Sequence, residues 1–309
     1  RGGKILSSMI VYDYKPTLMN EHGIKKKRFN GNVFYFFSQY KSVSHLKILV
    51  AIADRVFTVI KDSRKAFGPL PKRASDLAYN FDPDMLSERT IMDYIEANSI
   101  EWNLISEESG TRERNSDLTL IVDPVDGTYN ALNNIPIFSI SLALANRDLS
   151  DLYCAVVKNL ATGDIFTSEK AKGSRLNGDI IKTREFEPSS SVFCTYIGNE
   201  SLTENSMIGG YPRRSRYLGS TSLETCYVAS GAMDVFCIFG REPRLFDIAA
   251  SKLILEEAGG GLKSVNTEGG LYEYLIGETN MRRRGVLAYG DLKGAKVIKE
   301  LLRSEADRG

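Results

Sequence analysis

The chain has 309 residues, 42% hydrophobic and 26% charged, which is enough for one large or two ordinary domains and excludes wholesale disorder. Its 40 basic and 39 acidic residues leave a net charge of +1, without the basic excess of a nucleic-acid binder. Two histidines, His22 and His45, and four cysteines with no Cys-x-x-Cys pair exclude a zinc site and most histidine-based mechanisms.

Residues 1–42 read as an N-terminal extension with no legible role. The basic run Lys25 to Arg28 precedes an aromatic cluster, Phe34 to Phe37, and is expected to be a solvated face beside a packing element. From Ser44 to about Lys65 apolar residues recur at Leu49, Ile52, Ala53, Val56 and Ile60. That is amphipathic helix spacing, and Lys47, Asp54 and Arg55 interrupt it too often for a membrane span. With no secretory apolar region ahead of it and cysteines suited to buried free thiols, the expected location is the cytoplasm, with no membrane partner. A second helix is expected over Asp84 to Ala97.

Leu118 to Val122 is a continuous apolar run, as in a buried strand. Phe138, Ile140, Leu142 and Leu144 alternate with Ser139, Ser141 and Ala143, a period of two that predicts another. Strands follow at Leu152–Val157 and Asp164–Ser168, joined by Ala161-Thr162-Gly163, and Asn177-Gly178 is a strong hairpin signal. After about Glu187 the pattern becomes strand, helix, strand, helix: Val192–Tyr196, Thr221–Ala229, Met233–Phe239 and Asp247–Ala258, stopped by Gly259-Gly260-Gly261. The expected halves are therefore residues 43–187 and 188–309.

The informative string is Asp123-Pro124-Val125-Asp126-Gly127-Thr128, at the end of the buried strand. Carboxylates there are costly to desolvate unless they are paired or hold a metal. Pro124 fixes the chain between them, and Gly127 allows close backbone approach, so that the N–H groups of Gly127 and Thr128 can face an anion. Glu107-Glu108 follows another apolar run, and Asp247 sits at a helix start, where Asp also makes an ordinary N-cap; with Asp123 and Asp126 already collecting charge, a metal-ligand role is the favoured reading. Glu107, Asp123, Asp126 and Asp247, without histidine or cysteine nearby, describe a hard-cation site for Mg²⁺, with Mn²⁺ as substitute. Carboxylate-held Mg²⁺ most often serves phosphate chemistry.

These strings resemble the inositol monophosphatase and fructose-1,6-bisphosphatase superfamily, and most of all the archaeal enzymes with both activities. The resemblance covers residues 75 to 295 and extends to Lys172–Gly178 and Leu218-Gly219-Ser220-Thr221. It implies an α/β layered fold, an αβαβα sandwich, dimeric in the family. It implies Glu107, Asp123, the carbonyl of Val125, Asp126 and Asp247 as ligands of two or three Mg²⁺ ions. Asp84, Thr128 and Glu108 become the catalytic side chains, with Asp84 polarising Thr128 and Thr128 orienting the attacking water. Two departures are Phe246 for the usual Trp and Ser106 for the usual Gly. The implied reaction is in-line attack by a metal-activated water, without a phosphoenzyme. Substrate contacts are expected from Gly127, Thr128, Tyr196, Arg216, Gly219, Ser220, Arg241 and Arg244. The arginines suit a second phosphate, as in fructose 1,6-bisphosphate, with myo-inositol 1-phosphate also accepted. The rivals are a 3′(2′),5′-bisphosphate nucleotidase, which shares the metal motifs, and a non-catalytic interaction protein that keeps the fold.

Overall fold

The computed structural model describes residues 24–29, 32–37, 44–66, 82–196, 208, 210–239, 243–266, 271–273 and 283–306. Two compact units divide the chain between Val43 and Ser44. In the first, β1 (Ile24–Phe29) and β2 (Asn32–Phe37) pair as an antiparallel hairpin, Ile24 opposite Phe37. The lysine run therefore lies on a strand.

The second unit is built on two sheets. β3 (Asn103–Ser106), β4 (Gly110–Arg112), β5 (Leu118–Asp126), β6 (Ser139–Asn146), β7 (Leu152–Asn159), β8 (Ile165–Glu169), β9 (Ser174–Leu176) and β10 (Asp179–Ile181) form an eight-stranded sheet. Its order is β10-β9-β8-β7-β6-β5-β3-β4, and only the β3–β5 pair is parallel. Asn177 and Gly178, both at positive φ, make the two-residue turn between β9 and β10, as the Asn-Gly signal requires. β11 (Val192–Tyr196), β12 (Arg214–Arg216), β13 (Val235–Phe239), β14 (Gly261–Asn266), β15 (Leu271–Glu273) and β16 (Arg283–Tyr289) form the other sheet, ordered β12-β11-β13-β16-β14-β15. The chain passes from one sheet to the other between Ile181 and Val192.

Helices fill the remaining layers: α1 (His45–Ala66), α2 (Pro83–Ala97), α3 (Thr128–Leu132), α4 (Thr221–Ala229), α5 (Leu245–Glu257) and α6 (Leu292–Ala306). The strand period of two decides which layer meets which. Leu120, Val122, Leu142 and Leu144 point to α1 and α2, where Leu49, Ile52, Val56, Ile91 and Ile95 receive them. Ile121, Ala143 and Val157 point the other way, onto Leu223 and Val228 of α4 and Ile248 and Leu253 of α5. The far side of those two helices meets Phe236, Ile238 and Val286 of the second sheet. Val235, Cys237 and Leu287 face outward to Ile298 and Leu302 of α6. The result is an αβαβα sandwich. α4 and α5 lie between two sheets and so are buried almost all round, whereas α1 keeps Arg55 and Lys61 exposed. Each fully buried Leu or Ile contributes about 1.5–3 kcal/mol relative to exposure.

All four cysteines are free and buried. Among the described residues no helix is long and apolar enough to cross a membrane.

Candidate active site

The site forms where the parallel pair β3–β5 ends. Ser106 is opposite Val122, so the next residues, Glu107 and Asp123, emerge side by side, and the Glu107 N–H donates to the Val122 carbonyl at 3.2 Å. Asp123 pairs with Ser141 and Asp126 with Ser139, so three steps on β5 match two on β6. That bulge at Pro124-Val125 matters because residues three apart on a regular strand point to opposite faces. The extra residue puts Asp123 and Asp126 on the same face, the one toward α4 and α5.

α5 supplies a further acid. Asp247 is not the N-cap; Arg244 is, and Asp247 lies three residues in, accepting the Arg244 N–H at 2.8 Å. Carboxylate oxygens of Glu107, Asp123 and Asp247 all lie within 4.8 Å of one another. Asp126 is held differently. Its Oδ2 accepts from the Ser220 hydroxyl at 2.7 Å, the Ser222 N–H at 2.7 Å and the Ser222 hydroxyl, and its Oδ1 accepts from the Thr221 N–H at 3.2 Å. It thus caps the start of α4 from the neighbouring sheet, where N–H groups and the helix dipole favour an anion.

The electrostatics follow from this crowding. Burial, with Asp126 and then Asp247 adding to it, pushes the Asp123 carboxyl well above the usual carboxylate range. Burial raises Asp126 to about 6, although the serine hydroxyls oppose it, and raises Glu107 although Arg244 opposes it. Asp84, in the first turn of α2 behind the Asp82 cap, accepts the Thr128 hydroxyl at 3.0 Å, and burial pushes its carboxyl up to about 7. The Thr128 hydroxyl also lies 3.1 Å from the Val125 carbonyl.

Gly127 joins these parts. Its φ of +94° belongs to the left-handed region, and a Cβ there would lie 3.0 Å from the Gly219 carbonyl and 3.1 Å from the Ile137 carbonyl. Asn130, one turn on, donates to the carbonyls of Ile137 and Leu218 at 2.7 Å each and so fastens the Gly219 loop beside α3.

A cleft of about 230 Å³ opens over these groups. Glu107, Asp123, Val125, Asp126, Gly127, Thr128, Tyr196, Gly219, Arg244 and Asp247 line it. Ser220 stands behind it on Asp126. Glu108 is exposed in the turn after β3 and acts on Asp84 and Glu107 through its charge. Arg216 is exposed on the edge strand β12, its guanidinium donating to the Ser215 carbonyl, and is not part of the lining. Arg241 falls outside the described residues. Arg244 is placed unexpectedly for a phosphate ligand: its guanidinium lies on the carboxylates of Glu107 and Asp247.

Two titratable lining residues escaped the sequence reading. Tyr129, 71% exposed, stands at the mouth. Glu224 is buried, accepts the N–H groups of Leu218 and Gly219 at 2.7 and 3.2 Å, and takes the Cys194 thiol at 2.9 Å. A lone charged residue in the mostly apolar Leu223–Ala229 segment was the available signal.

A hard-oxygen cluster beyond the carboxyl ends of the parallel pair β3–β5, in an αβαβα sandwich, suits phosphomonoester hydrolysis. Comparison with known proteins agrees. Residues 45–307 match the inositol monophosphatase family, and the chain belongs to it. It is 36% identical over 236 residues to a fructose-1,6-bisphosphatase/inositol-1-monophosphatase of Methanothermobacter thermautotrophicus, covering 71% of this chain and 81% of that one. It is 36% identical over 190 residues to a bifunctional NADP phosphatase/NAD kinase of Methanococcus maripaludis, covering 51% of this chain and 32% of that one. Among solved structures, a Pyrococcus horikoshii protein described as similar to inositol-1 monophosphatase superposes with a TM-score of 0.68 at 26% identity, over 82% of this chain and 96% of that one.

Proposed function

We propose that this chain is a Mg²⁺-dependent phosphatase of fructose 1,6-bisphosphate, myo-inositol 1-phosphate or both. The observation that carries the proposal is the convergence of Glu107, Asp123 and Asp247 from three separate segments, close enough to share a cation. The donor set is all oxygen and anionic, which fits Mg²⁺, with Mn²⁺ as substitute. Glu107, Asp123, Asp126, Asp247 and the Val125 carbonyl would hold two or three ions. When bound, such ions supply charge neutralisation and make a water acidic enough to attack.

The chain's own residues do the rest. Thr128 donates its hydroxyl proton to Asp84, which leaves its oxygen lone pairs free to orient a water. Gly127 packs against the Gly219 carbonyl, and in this reading its N–H and that of Thr128 donate to phosphate oxygens. Asp126, anchored by Ser220 and Ser222, keeps α4 and β5 in register at the site. The same reading makes the protein a cytoplasmic homodimer, for which buried free thiols suit a reducing compartment.

A second reading has its own support. A bisphosphate nucleotidase would use an aromatic face for its base, and Tyr129 at the mouth and Tyr196 in the lining offer two rings. The NADP phosphatase relative points the same way. Phosphate release with Mg²⁺, measured side by side on fructose 1,6-bisphosphate, inositol 1-phosphate and adenosine 3′,5′-bisphosphate, decides. Fastest turnover of a sugar or polyol phosphate is the expected result. Preference for the nucleotide would replace the first reading, and no release from any of them would favour a non-catalytic interaction protein.

A further inference from the structure

Arg244 pairs with two of the carboxylates that the proposed cation would need. One guanidinium nitrogen pairs with Glu107 and another lies 3.3 Å from an Asp247 oxygen, so one side chain bridges two of the three clustered acids. The guanidinium carbon is also 4.7 Å from the centre of the Phe246 ring. At 47% side-chain exposure, Arg244 reaches into the cluster from the solvent side rather than being sealed within it. It lines the cleft together with Thr128 and Gly219, the groups that face the substrate space.

We propose that Arg244 is a tethered counter-ion. It neutralises Glu107 and Asp247 while no divalent cation is bound, competes with that cation for the same oxygens, and when displaced becomes available to an anionic substrate. The inference rests on the cation-binding reading above and adds to it a coupling between cation and phosphate. Guanidinium and cation cannot both occupy the same carboxylate oxygens, so whatever stabilises the bridge weakens cation binding by the same factor. Exchange strands no charge, because the half-exposed guanidinium is rehydrated while the cation takes over the oxygens of Glu107 and Asp247, whose side chains are 20% and 7% exposed. Once freed, its planar fork matches phosphate oxygens. The sequence reading of Arg244 as a phosphate ligand and its observed place on the acids then describe two positions of one side chain.

The test is Mn²⁺ binding to the full chain, followed by calorimetry and by the loss of the free Mn²⁺ paramagnetic resonance signal. It is run at about pH 8, where protons compete least with the metal. Arg244→Leu should bind Mn²⁺ about tenfold more tightly than the wild type, the effect of removing one competing partly exposed ion pair. Arg244→Lys, which keeps the charge but lacks the fork, should fall between them. Inorganic phosphate should strengthen Mn²⁺ binding in the wild type and do so less in Arg244→Leu. The N-cap bond from the Arg244 N–H to Asp247 is a backbone contact and survives both substitutions. Equal or weaker Mn²⁺ affinity in a folded Arg244→Leu would overturn the counter-ion role while leaving the cation site intact. Failure of the wild type and both variants alike to bind Mn²⁺ would overturn the cation reading and this inference with it.

Discussion

Asp234 and Asp123 are both buried acids at sheet strands, 3% and 1% exposed, and they are treated in opposite ways. Asp234, just before β13, accepts the Arg184 Nε at 2.8 Å, a second Arg184 nitrogen and the Val192 N–H at 2.6 Å. Its charge is matched and its oxygens are filled, and it ties the segment leading into β11 to the start of β13. Asp123 accepts the N–H of its near neighbour Val125 at 3.1 Å and faces the charges of Asp126, Asp247 and Glu107. A buried charge is tolerated when partners surround it, and a set of buried like charges is not. The first arrangement is complete as it stands. The second leaves like charges crowded together, which is what the proposed cation would relieve, and that difference separates a buried acid that holds the fold together from buried acids gathered as a candidate site.

The comparison can be broken at either end. The largest effect should come from Asp123→Asn, which lowers phosphate release by about a thousandfold or more. Because it relieves like-charge crowding, the same change should leave the melting temperature of the cation-free chain equal or higher. A fall in stability would mean that Asp123 is structural after all. Asp234→Ala should do the reverse. Stranding Arg184 should cost about 3 kcal/mol in urea denaturation, the low end for a broken buried pair because Arg184 remains partly exposed. The loss should be the same with and without Mg²⁺, and activity per folded molecule should not change.

The smallest expected effect is a pH slope. Asp84 and Glu224 are both pushed up to about 7, chiefly by burial. Their carboxyls bind protons more tightly in the folded chain than in the unfolded one. The stability they contribute is therefore full below the ordinary carboxylate pKa of about 4 and is lost as pH rises through about 7. Thermal melts of the cation-free chain should show this decline. Glu224→Gln, which retains an acceptor oxygen for Leu218 and Gly219, should flatten it. An unchanged slope in that variant would place the titration elsewhere.

Local pattern carried much of the fold. The alternation from Phe138 to Leu144 and the run from Leu118 to Val122 mark strands whose faces the sandwich then uses. Asn177-Gly178 marks a hairpin whose turn needs positive φ twice. The string Asp123 to Thr128 was legible as chemistry because two acids, a proline and a glycine after a buried strand have few purely structural uses. What it did not reveal was the bulge that turns both acids to one face, since that depends on pairing with β6. Nor did it reveal that Asp126 caps α4, because Ser222 lies 96 residues further along the chain. Arg244 read as a phosphate ligand because arginine suits phosphate. Its place on Glu107 depends on how α5 meets the end of β3, which local spacing does not encode. β12, β14, β16 and α6 were not singled out, although Leu287, Ile298 and Leu302 there form part of the outer core.

The most direct measurement is phosphate release by the metal-stripped wild-type chain as Mg²⁺ is titrated in, with fructose 1,6-bisphosphate and inositol 1-phosphate as substrates. The account predicts no release without a divalent cation and a saturable rise as Mg²⁺ is added. Full activity in the stripped chain, unaffected by chelator, would contradict it.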